Sequence, residues 1–372
     1  MRIGLEVSPL AVNATGIPNY IRRLLEGFAS LDSGDEFFLY TNRPIPSGPG
    51  LPDSFRTVIV DRPHPRFQLW FQLELPRRVR RDGVQVFHGL FSRLPFALPV
   101  PGVVTVHDLS GYAMPGIHKR WTHLTNLLYP LYLRKAAAVV AVSSFTASEL
   151  SRTFPWIGDR IRVVHEAAPP EFAPVKDPSV LEAARARYGL PKRFILFLGT
   201  LEPRKNLGRL IEAYRSIAGR IPHSLVIAGG SGWRGGGLPD GKVRGEHRDR
   251  VLLTGFVDQE DLPALFSLAE MLVYPSIYEG FGLPILEAMA CGTPVVTSSV
   301  SSMPEVAGDA ALLADPRSVE GMAEAILRLA EDAGLRDELR EKGFRREKGF
   351  SWRTAAARTM DVYREVLEGT GR

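Results

Sequence analysis

Short apolar runs alternate with longer stretches of helical periodicity along nearly the whole chain. The apolar runs are RIGLEV, FFLYT, TVIV, VQVFH, VVTV, AVVAV and RVV in the first half and FILFLG, SLVIAG, VLLTG, MLVYPS and PVVTS in the second. Helices are predicted over 20–31, 121–136, 206–218, 259–269 and 284–290, and again towards the C-terminus. Strands that alternate with helices form parallel βα units, and strands of near-continuous Val, Ile and Leu lie in sheets covered on both faces. The pattern predicts an α/β protein with two doubly wound parallel sheets.

A proline-containing segment without periodicity, HEAAPPEFAPVKDPS, interrupts this pattern near the middle. The chain has 372 residues, which is more than one hydrophobic core usually supports. We therefore predict one domain over 1–168 and a second over 190–352. Ligands of open α/β sheets bind beyond the carboxyl ends of the strands, so functional residues are expected there.

The composition is that of a globular protein in water, with 45% hydrophobic and 23% charged residues. No apolar run approaches the roughly 18 residues of a membrane span. The N-terminus lacks the features of a signal peptide, so a cytoplasmic location is expected. Cys291 is the only cysteine, which excludes disulfides within the chain and cysteine-cluster metal sites.

Positive charge is concentrated in the first half, where residues 1–165 carry 19 Lys and Arg against 12 Asp and Glu. Such an excess suggests a polyanionic partner. The stretch 62–81 (RPHPRFQLWFQLELPRRVRR) combines six arginines with interleaved Phe67, Trp70 and Phe71. It could lie on an anionic membrane surface, or form a solvated helix whose aromatic residues are core, and the spacing favours neither. No nucleic-acid recognition motif accompanies the arginines, so no nucleic-acid partner is expected.

Two glycine-rich strings resemble nucleotide-binding loops without their context. Residues 230–235 match the dinucleotide pattern G-x-G-x-x-G, but further glycines and Pro239 follow, so no helix begins there. Residues 236–242 (GGLPDGK) approach a P-loop, but Val243 stands where a magnesium-binding Ser or Thr is required. An exposed loop is the better interpretation.

The sharpest candidate site is the string Glu279-Gly-Phe-Gly-Leu-Pro-Ile-Leu-Glu287, directly after the strand MLVYPS. Pro284 suits the first turn of a helix, and the glycines permit close approach of a ligand to the backbone. A helix N-terminus binds anions, and phosphate above all. Glu287 could then accept hydrogen bonds from ribose hydroxyls while Glu279 faces a sugar. Alternatively, both carboxylates only favour the start of the helix electrostatically.

A second candidate, Gly199-Thr-Leu-Glu-Pro-Arg-Lys-Asn206, follows the strand FILFLG. Arg204 offers a planar fork and Lys205 a mobile point charge, a combination that suits a diphosphate. Alternatively, the two residues only form part of a solvated surface, as adjacent Arg and Lys commonly do. Its position at a strand end in the same domain as the glutamate loop favours the functional interpretation.

Together with the strand-end VHD and the string PVVTSSVSSMPEVAGDAALLADP, these motifs make the chain resemble the retaining nucleotide-sugar glycosyltransferases of the GT-B fold, its mannosyltransferase-like bacterial members especially. The resemblance covers essentially the whole chain. It implies two Rossmann-like domains that face each other across a deep cleft. The N-terminal domain would bind the acceptor and the second domain the donor, and a C-terminal helix within 353–372 would return to the first domain.

The resemblance also implies roles for residues of the second domain. Arg204 and Lys205 would neutralise the diphosphate, Glu287 would hold the ribose and Glu279 would contact the donor sugar. The distal phosphate or sugar hydroxyls would meet the backbone N–H groups of three residues, Phe281, Gly282 and Leu283. Many members carry an arginine where this chain has Thr200, which shifts charge neutralisation to Arg204 and Lys205.

In the first domain, His107 matches the family histidine that touches the donor sugar near the reacting carbon. Alternatively, His107 is a histidine that only caps the end of a strand. Gly16 resembles the family's glycine loop near the phosphates and the acceptor.

The reaction expected from these features needs no metal or other cofactor, because the chain has no Asp-x-Asp. Side-chain cations and the helix N-terminus would stabilise the departing nucleoside diphosphate. The resemblance implies transfer with retention to a glycan or lipid-linked acceptor, with GDP-mannose as the first candidate donor. A sugar-nucleotide epimerase or phosphorylase, and a non-catalytic nucleotide-sugar sensor, remain open alternatives.

Overall fold

The computed structural model describes residues 1–11, 16–45, 51–59, 69–114, 120–230 and 245–370. Within these ranges the chain forms two α/β units, each built on one parallel sheet, which confirms the predicted fold class. The described residues from Met1 to Glu166 form the first unit together with those from Ser351 onward, and Ala167–Phe350 forms the second. Residues 169–189, which the sequence analysis leaves between the domains, therefore belong to the second unit.

Seven strands form the first sheet: β1 (Arg2–Glu6), β2 (Glu36–Thr41), β3 (Phe55–Ile59), β4 (Val86–Gly89), β5 (Gly102–Val106), β6 (Ala136–Ala141) and β7 (Ile161–Val163). Their order is β3-β2-β1-β4-β5-β6-β7, and every pair is parallel. Because β1 pairs with both β2 and β4, the strand order reverses at the β1–β4 pair, which is the topological switch point of this sheet.

In the described ranges up to Glu166, the α-helices of the first unit are α1 (Ile17–Ala29), α2 (Leu75–Arg81), α3 (Ser110–Ala113), α4 (Arg120–Lys135) and α5 (Ser144–Thr153). A π-helical turn, Trp70–Glu74, leads into α2. The predicted helix over 121–136 is confirmed as α4. It ends at Lys135 because Ala136 already belongs to the buried strand β6.

Six strands form the second sheet: β8 (Phe194–Leu198), β9 (Ser224–Ala228), β10 (Val251–Gly255), β11 (Met271–Tyr274), β12 (Val295–Ser298) and β13 (Ala311–Ala314). They are parallel in the order β10-β9-β8-β11-β12-β13. The order reverses between β8 and β11, so the loops that follow these two strands diverge and leave a crevice at their carboxyl ends.

The helices of the second unit are α6 (Pro178–Tyr188), α7 (Leu207–Ile217), α8 (Leu262–Leu268), α9 (Leu283–Ala290), α10 (Met303–Ala307), α11 (Val319–Glu331) and α12 (Ala333–Glu347). Leu210 and Tyr214 of α7 pack with Ile326 and Leu329 of α11 against one face of the sheet. The predicted helix over 259–269 is α-helical only from Leu262, after a 3-10 turn.

The final helix, α13 (Trp352–Thr370), lies in the first unit and packs along α1. Gly27 permits this approach, because a Cβ there would lie 2.4 Å from the carbonyl oxygen of Trp352. A buried polar contact adds to the packing: Nδ1 of His88 lies 2.6 Å from the Tyr363 hydroxyl and Nε2 lies 2.8 Å from the Thr105 hydroxyl. Burial, and to a smaller extent the charge of His107, lowers the pKa of His88 to about 3. Neutral His88 can therefore donate through one nitrogen and accept through the other.

Parts of two sequence features lie outside the described residues, namely most of the glycine-rich segment (231–244) and the first part of the arginine-rich stretch (60–68). Across the described ranges, no helix combines the length and the apolar character needed to cross a bilayer.

Candidate active site

The loops after β8 and β11 are tied together by side-chain hydrogen bonds. After β8, Pro203–Lys205 form one 3-10 turn, and Asn206, in the left-handed conformation at φ 63°, leads into α7. The Asn206 amide donates to the carbonyl oxygens of Pro275 and Pro316 over 3.1 and 2.6 Å. Asn206 thereby fixes Arg204 and Lys205 against the loop that carries Glu279.

Glu279 binds both cations of the neighbouring loop. Its Oε2 accepts from Nη1 of Arg204 at 2.6 Å, and its Oε1 accepts from Nζ of Lys205 at 2.7 Å. Lys205 and Glu279 are each only 7% exposed, so this ion cluster is shielded from water. Arg204 also donates to Glu202 over 2.9 Å. The sequence predicts these residues in one site, but it does not indicate that Glu279 pairs with the two cations.

Electrostatics keep the cluster charged although it is buried. Burial acts to raise the pKa of Glu279, but Lys205 and Arg204 outweigh burial and lower that pKa to about 2. Burial lowers the pKa of Lys205, and the Glu279 carboxylate opposes this shift. Glu279 is therefore a carboxylate at neutral pH, held between two positive charges that would otherwise repel each other.

Tyr274, the last residue of β11, completes the surroundings of Lys205. Its hydroxyl accepts from Nζ of Lys205 at 2.5 Å, and the ammonium lies 4.8 Å from the centre of the ring. Tyr274 is buried, and burial raises the pKa of its hydroxyl well above the usual value. Tyr274 is not among the residues predicted for the site, because in the sequence it resembles an ordinary hydrophobic position of the strand.

Two serines hold the glycine loop before α9. Oγ of Ser301 donates to the Glu279 carbonyl at 2.6 Å and accepts from the Glu279 N–H at 3.0 Å. Oγ of Ser302 donates to the Phe281 carbonyl at 2.6 Å. Gly282 has φ 103°, a conformation that favours glycine, and Leu283 begins the helix. The serines belong to the string PVVTSSVSSMPEVAG, which supported the resemblance without receiving a role.

The remaining predicted residues of the second unit lie in the same two loops and helix. Thr200 follows Gly199 at the end of β8, in the loop that carries Arg204 and Lys205. Glu287 lies in the second turn of α9 and is buried. The structure thus brings Thr200, both cations, the glycine turn and both glutamates to the switch point of the second sheet.

His107 and Gly16 lie in the first unit. Nε2 of His107 lies 3.0 Å from the Leu90 carbonyl oxygen, and Nδ1 lies 3.4 Å from Oε1 of Glu166. The Tyr20 ring and the imidazole pack nearly perpendicular to each other, with 4.5 Å between ring centres. His107 therefore contacts protein acceptors through both nitrogens, and sequence reasoning identified neither Glu166 nor Tyr20.

Gly16 precedes α1 with φ 85°, and its carbonyl accepts from the Tyr20 N–H at 2.9 Å. A Cβ at this glycine would meet no atom of the described residues within 4 Å. The backbone conformation, rather than crowding, is therefore the reason for glycine at this position.

The site offers an anion two kinds of donor. An ammonium has three N–H donors, and Tyr274 and Glu279 occupy two of those of Lys205. The N-terminus of α9 adds backbone N–H groups and the positive end of the helix dipole. In the parts of the chain that the structure describes, no three His, Cys, Asp or Glu side chains are grouped as metal ligands would be.

Solved structures share this architecture over the whole chain. Sucrose-phosphate synthase from Thermosynechococcus elongatus superimposes with a TM-score of 0.75 and 23% identity, covering 99% of both chains. HepE of Anabaena in complex with UDP and glucose superimposes with a TM-score of 0.68 and 18% identity, covering 97% of this chain and 98% of its own. With two Rossmann-like parallel sheets, the protein has the GT-B fold of glycosyltransferases.

Sequence comparison identifies the family. The O-antigen chain mannosyltransferase B of Escherichia coli is 33% identical over 98% of this chain and 100% of its own length. The family model "Glycosyl transferases group 1" matches residues 182–346, and "Glycosyltransferase Family 4" matches residues 14–172. The chain belongs to the group 1 glycosyltransferases, which confirms the resemblance at the level of the family.

Proposed function

We propose that this glycosyltransferase moves a mannosyl group from GDP-mannose to a glycan or lipid-linked acceptor during synthesis of a cell-surface polysaccharide, with retention of anomeric configuration. The similarity to an O-antigen mannosyltransferase supports the sugar and the pathway class. The observation that carries the proposal is the buried cluster of Arg204, Lys205 and Glu279 at the switch point of the second sheet.

In this proposal the donor diphosphate lies between the two cations and the N-terminus of α9. Lys205 and Arg204 stabilise the negative charge that develops on the leaving nucleoside diphosphate, and the backbone N–H of Leu283 contributes from the helix. Glu287, one turn further, holds the ribose hydroxyls. Because these donors are fixed before the reaction, no divalent metal is required. Activity in the presence of excess EDTA supports this part of the proposal, and restoration of a lost activity by Mg²⁺ or Mn²⁺ contradicts it.

Glu279 binds the donor sugar and supports positive charge at the reacting carbon. The acceptor hydroxyl attacks from the face that the diphosphate leaves, the bond from the anomeric carbon to the phosphate oxygen breaks, and the departing phosphate takes the hydroxyl proton. In this scheme His107 of the first unit takes part in transfer of the sugar, and Gly16 takes part in binding of the substrates. The first unit supplies the acceptor site.

Ligand binding and turnover test the proposal in sequence. In a thermal-shift panel of GDP, UDP, TDP and ADP, GDP should raise the melting temperature most, because a ligand of the folded state stabilises it. GDP-mannose should then be consumed only with a competent acceptor, and proton NMR of the product should show the donor's anomeric configuration. If the protein binds the donor but releases it unchanged with every acceptor, it is a nucleotide-sugar sensor and not a transferase. An inverted product would contradict retention.

We also propose that the first unit contacts an anionic membrane surface. Trp70 and Phe71 are fully buried in the core, so of the two alternatives for these aromatics the structure favours core packing over contact with lipid. Phe67 lies outside the described residues. The exposed residues of the same helical segment are Leu69 and Leu73, 38% and 52% exposed, followed by three arginines, Arg77, Arg80 and Arg81. Exposed leucines beside arginines suit an anionic lipid surface.

Flotation with vesicles of phosphatidylglycerol and phosphatidylethanolamine tests this surface. The protein should float at low salt, and replacing Arg77, Arg80 and Arg81 by Ala should abolish flotation. A control with the same loss of charge replaces three other exposed arginines, Arg56, Arg152 and Arg220. Equal flotation of the two variants would show that only net charge matters and would exclude a dedicated surface.

A further inference from the structure

The hydroxyl of Tyr274 is placed to orient the Lys205 ammonium. Tyr274 ends β11, and its own backbone is fixed, since its carbonyl accepts from the Thr297 hydroxyl at 2.8 Å. The ring is 1% exposed and cannot leave its position without opening the core. Its hydroxyl lies 2.5 Å from Nζ of Lys205, and Oε1 of Glu279 lies 2.7 Å from the same nitrogen.

Two acceptors at fixed positions determine the direction of the third N–H of an ammonium. With Glu279 alone, the end of the lysine side chain could pivot about its single contact. With Tyr274 as well, two N–H groups are fixed and the third has one direction. We propose that Tyr274 is a positioning residue, whose hydroxyl holds Lys205 so that its third N–H points to the donor diphosphate. The inference rests on the proposed function, because it presupposes that Lys205 binds that diphosphate.

The hydroxyl is also a hydrogen-bond acceptor for the charged form of Lys205. Burial and Arg204 lower the pKa of Lys205, whereas the carboxylates of Glu279 and Glu202 raise it. Removing the Tyr274 hydroxyl takes away an acceptor for the ammonium, so the pKa of Lys205 should fall further. As the pH rises, the affinity for diphosphate should therefore begin to fall at a lower pH in a variant without the hydroxyl than in the parent protein.

The test replaces Tyr274 by Phe, which keeps the ring and removes only the hydroxyl. A matched control is Tyr214→Phe, because Tyr214 is also fully buried in the second unit and its hydroxyl donates to the His223 carbonyl at 2.9 Å. Isothermal titration with GDP should give a dissociation constant about tenfold higher for Tyr274→Phe, because hydrogen bonds to charged groups are the stronger ones. The control should stay within about twofold of the parent protein.

Three outcomes separate the inference from the function on which it rests. If the two Phe variants bind GDP with affinities that agree within about twofold and with the same pH dependence, the proposed role of Tyr274 is overturned. GDP binding by the parent protein is then unaffected. If Lys205→Ala also binds GDP as tightly as the parent protein, the proposed diphosphate site is overturned, and the inference about Tyr274 with it. A weakened Tyr274→Phe whose affinity declines at a lower pH than that of the control supports the inference.

Discussion

The ammonium of Lys205 donates to Oε1 of Glu279 over 2.7 Å, although 74 positions separate the two residues in the sequence. They meet because β8 pairs with β11, so that the loops after these strands share the switch point of the sheet. Without donor, the carboxylate neutralises part of the charge that the diphosphate would meet. In the proposed complex the third N–H of Lys205 binds the diphosphate while Glu279 keeps its ion pairs with both cations, and the remaining lone pairs of the Glu279 oxygens accept from sugar hydroxyls.

Replacing Lys205 by Ala should lower turnover about 100-fold or more, since removal of one charge-stabilising donor has effects of this size. Folding should be retained, because Glu279 keeps its ion pair with Arg204. Steady-state kinetics with GDP-mannose and far-UV circular dichroism measure the two effects. Lys192→Ala, at an exposed position of the same unit, is the control. Near-normal turnover in Lys205→Ala would remove Lys205 from the site.

No glycosyl ester should form on Glu279 during turnover. Both of its oxygens are bound by cations, and its pKa of about 2 makes it a weak nucleophile. Intact-protein and peptide mass spectrometry after rapid acid quenching with GDP-mannose should show no added hexose on the peptide that contains Glu279. A hexose trapped there would establish a covalent intermediate and contradict the proposed mechanism.

Replacing Glu166 by Gln should reduce activity about tenfold, through His107. The Glu166 carboxylate faces Nδ1 of His107 at 3.4 Å, and we expect this contact to hold the orientation of the ring. The turnover number should fall more than the KM for the donor changes, because the proposed diphosphate site lies in the second unit, whereas Glu166 and His107 lie in the first. Glu171→Gln, at a nearby exposed carboxylate, serves as the control. If His107→Ala is fully active, neither residue belongs to the site.

The stability of the first unit should decrease as the pH falls below the ordinary histidine value, because of His88. In the folded protein burial lowers the pKa of His88 from 6.5 to about 3, so the unfolded chain takes up a proton that the folded protein does not. The contribution of His88 to the free energy of unfolding is therefore full above pH 6.5 and declines as the pH falls towards 3, by up to about 1.4 kcal/mol per pH unit.

His88→Gln, which keeps hydrogen-bonding groups but does not titrate, should show a shallower pH dependence. Urea unfolding of both proteins between about pH 8 and pH 5 measures the difference, and hydrogen exchange over α13 reports whether the contact with Tyr363 is retained. Equal slopes for the two proteins would show that His88 is not protected from protonation in the folded state.

The sequence predicted the fold class and the parts of the second-unit site because both depend on local pattern. Alternating Val-rich runs and helical periods are sufficient to indicate parallel βα units. The glycine turn, Pro284 and the adjacent basic pair are contiguous strings with chemical meaning of their own. The arginine-rich stretch was ambiguous at this level, because the same spacing of residues suits packing in a core and contact with a membrane. Burial of Trp70 and Phe71 shows that these two aromatic residues belong to the core.

The partners of these residues were decided only by the tertiary structure. Tyr274, Ser301 and Glu166 look ordinary in the sequence, and each acts on a residue from a different segment. Strand order alone brings β8 beside β11, and no local pattern encodes which strands become neighbours. The sequence therefore determined which chemical groups are available, whereas the pairing of the strands determined that Glu279 meets two cations.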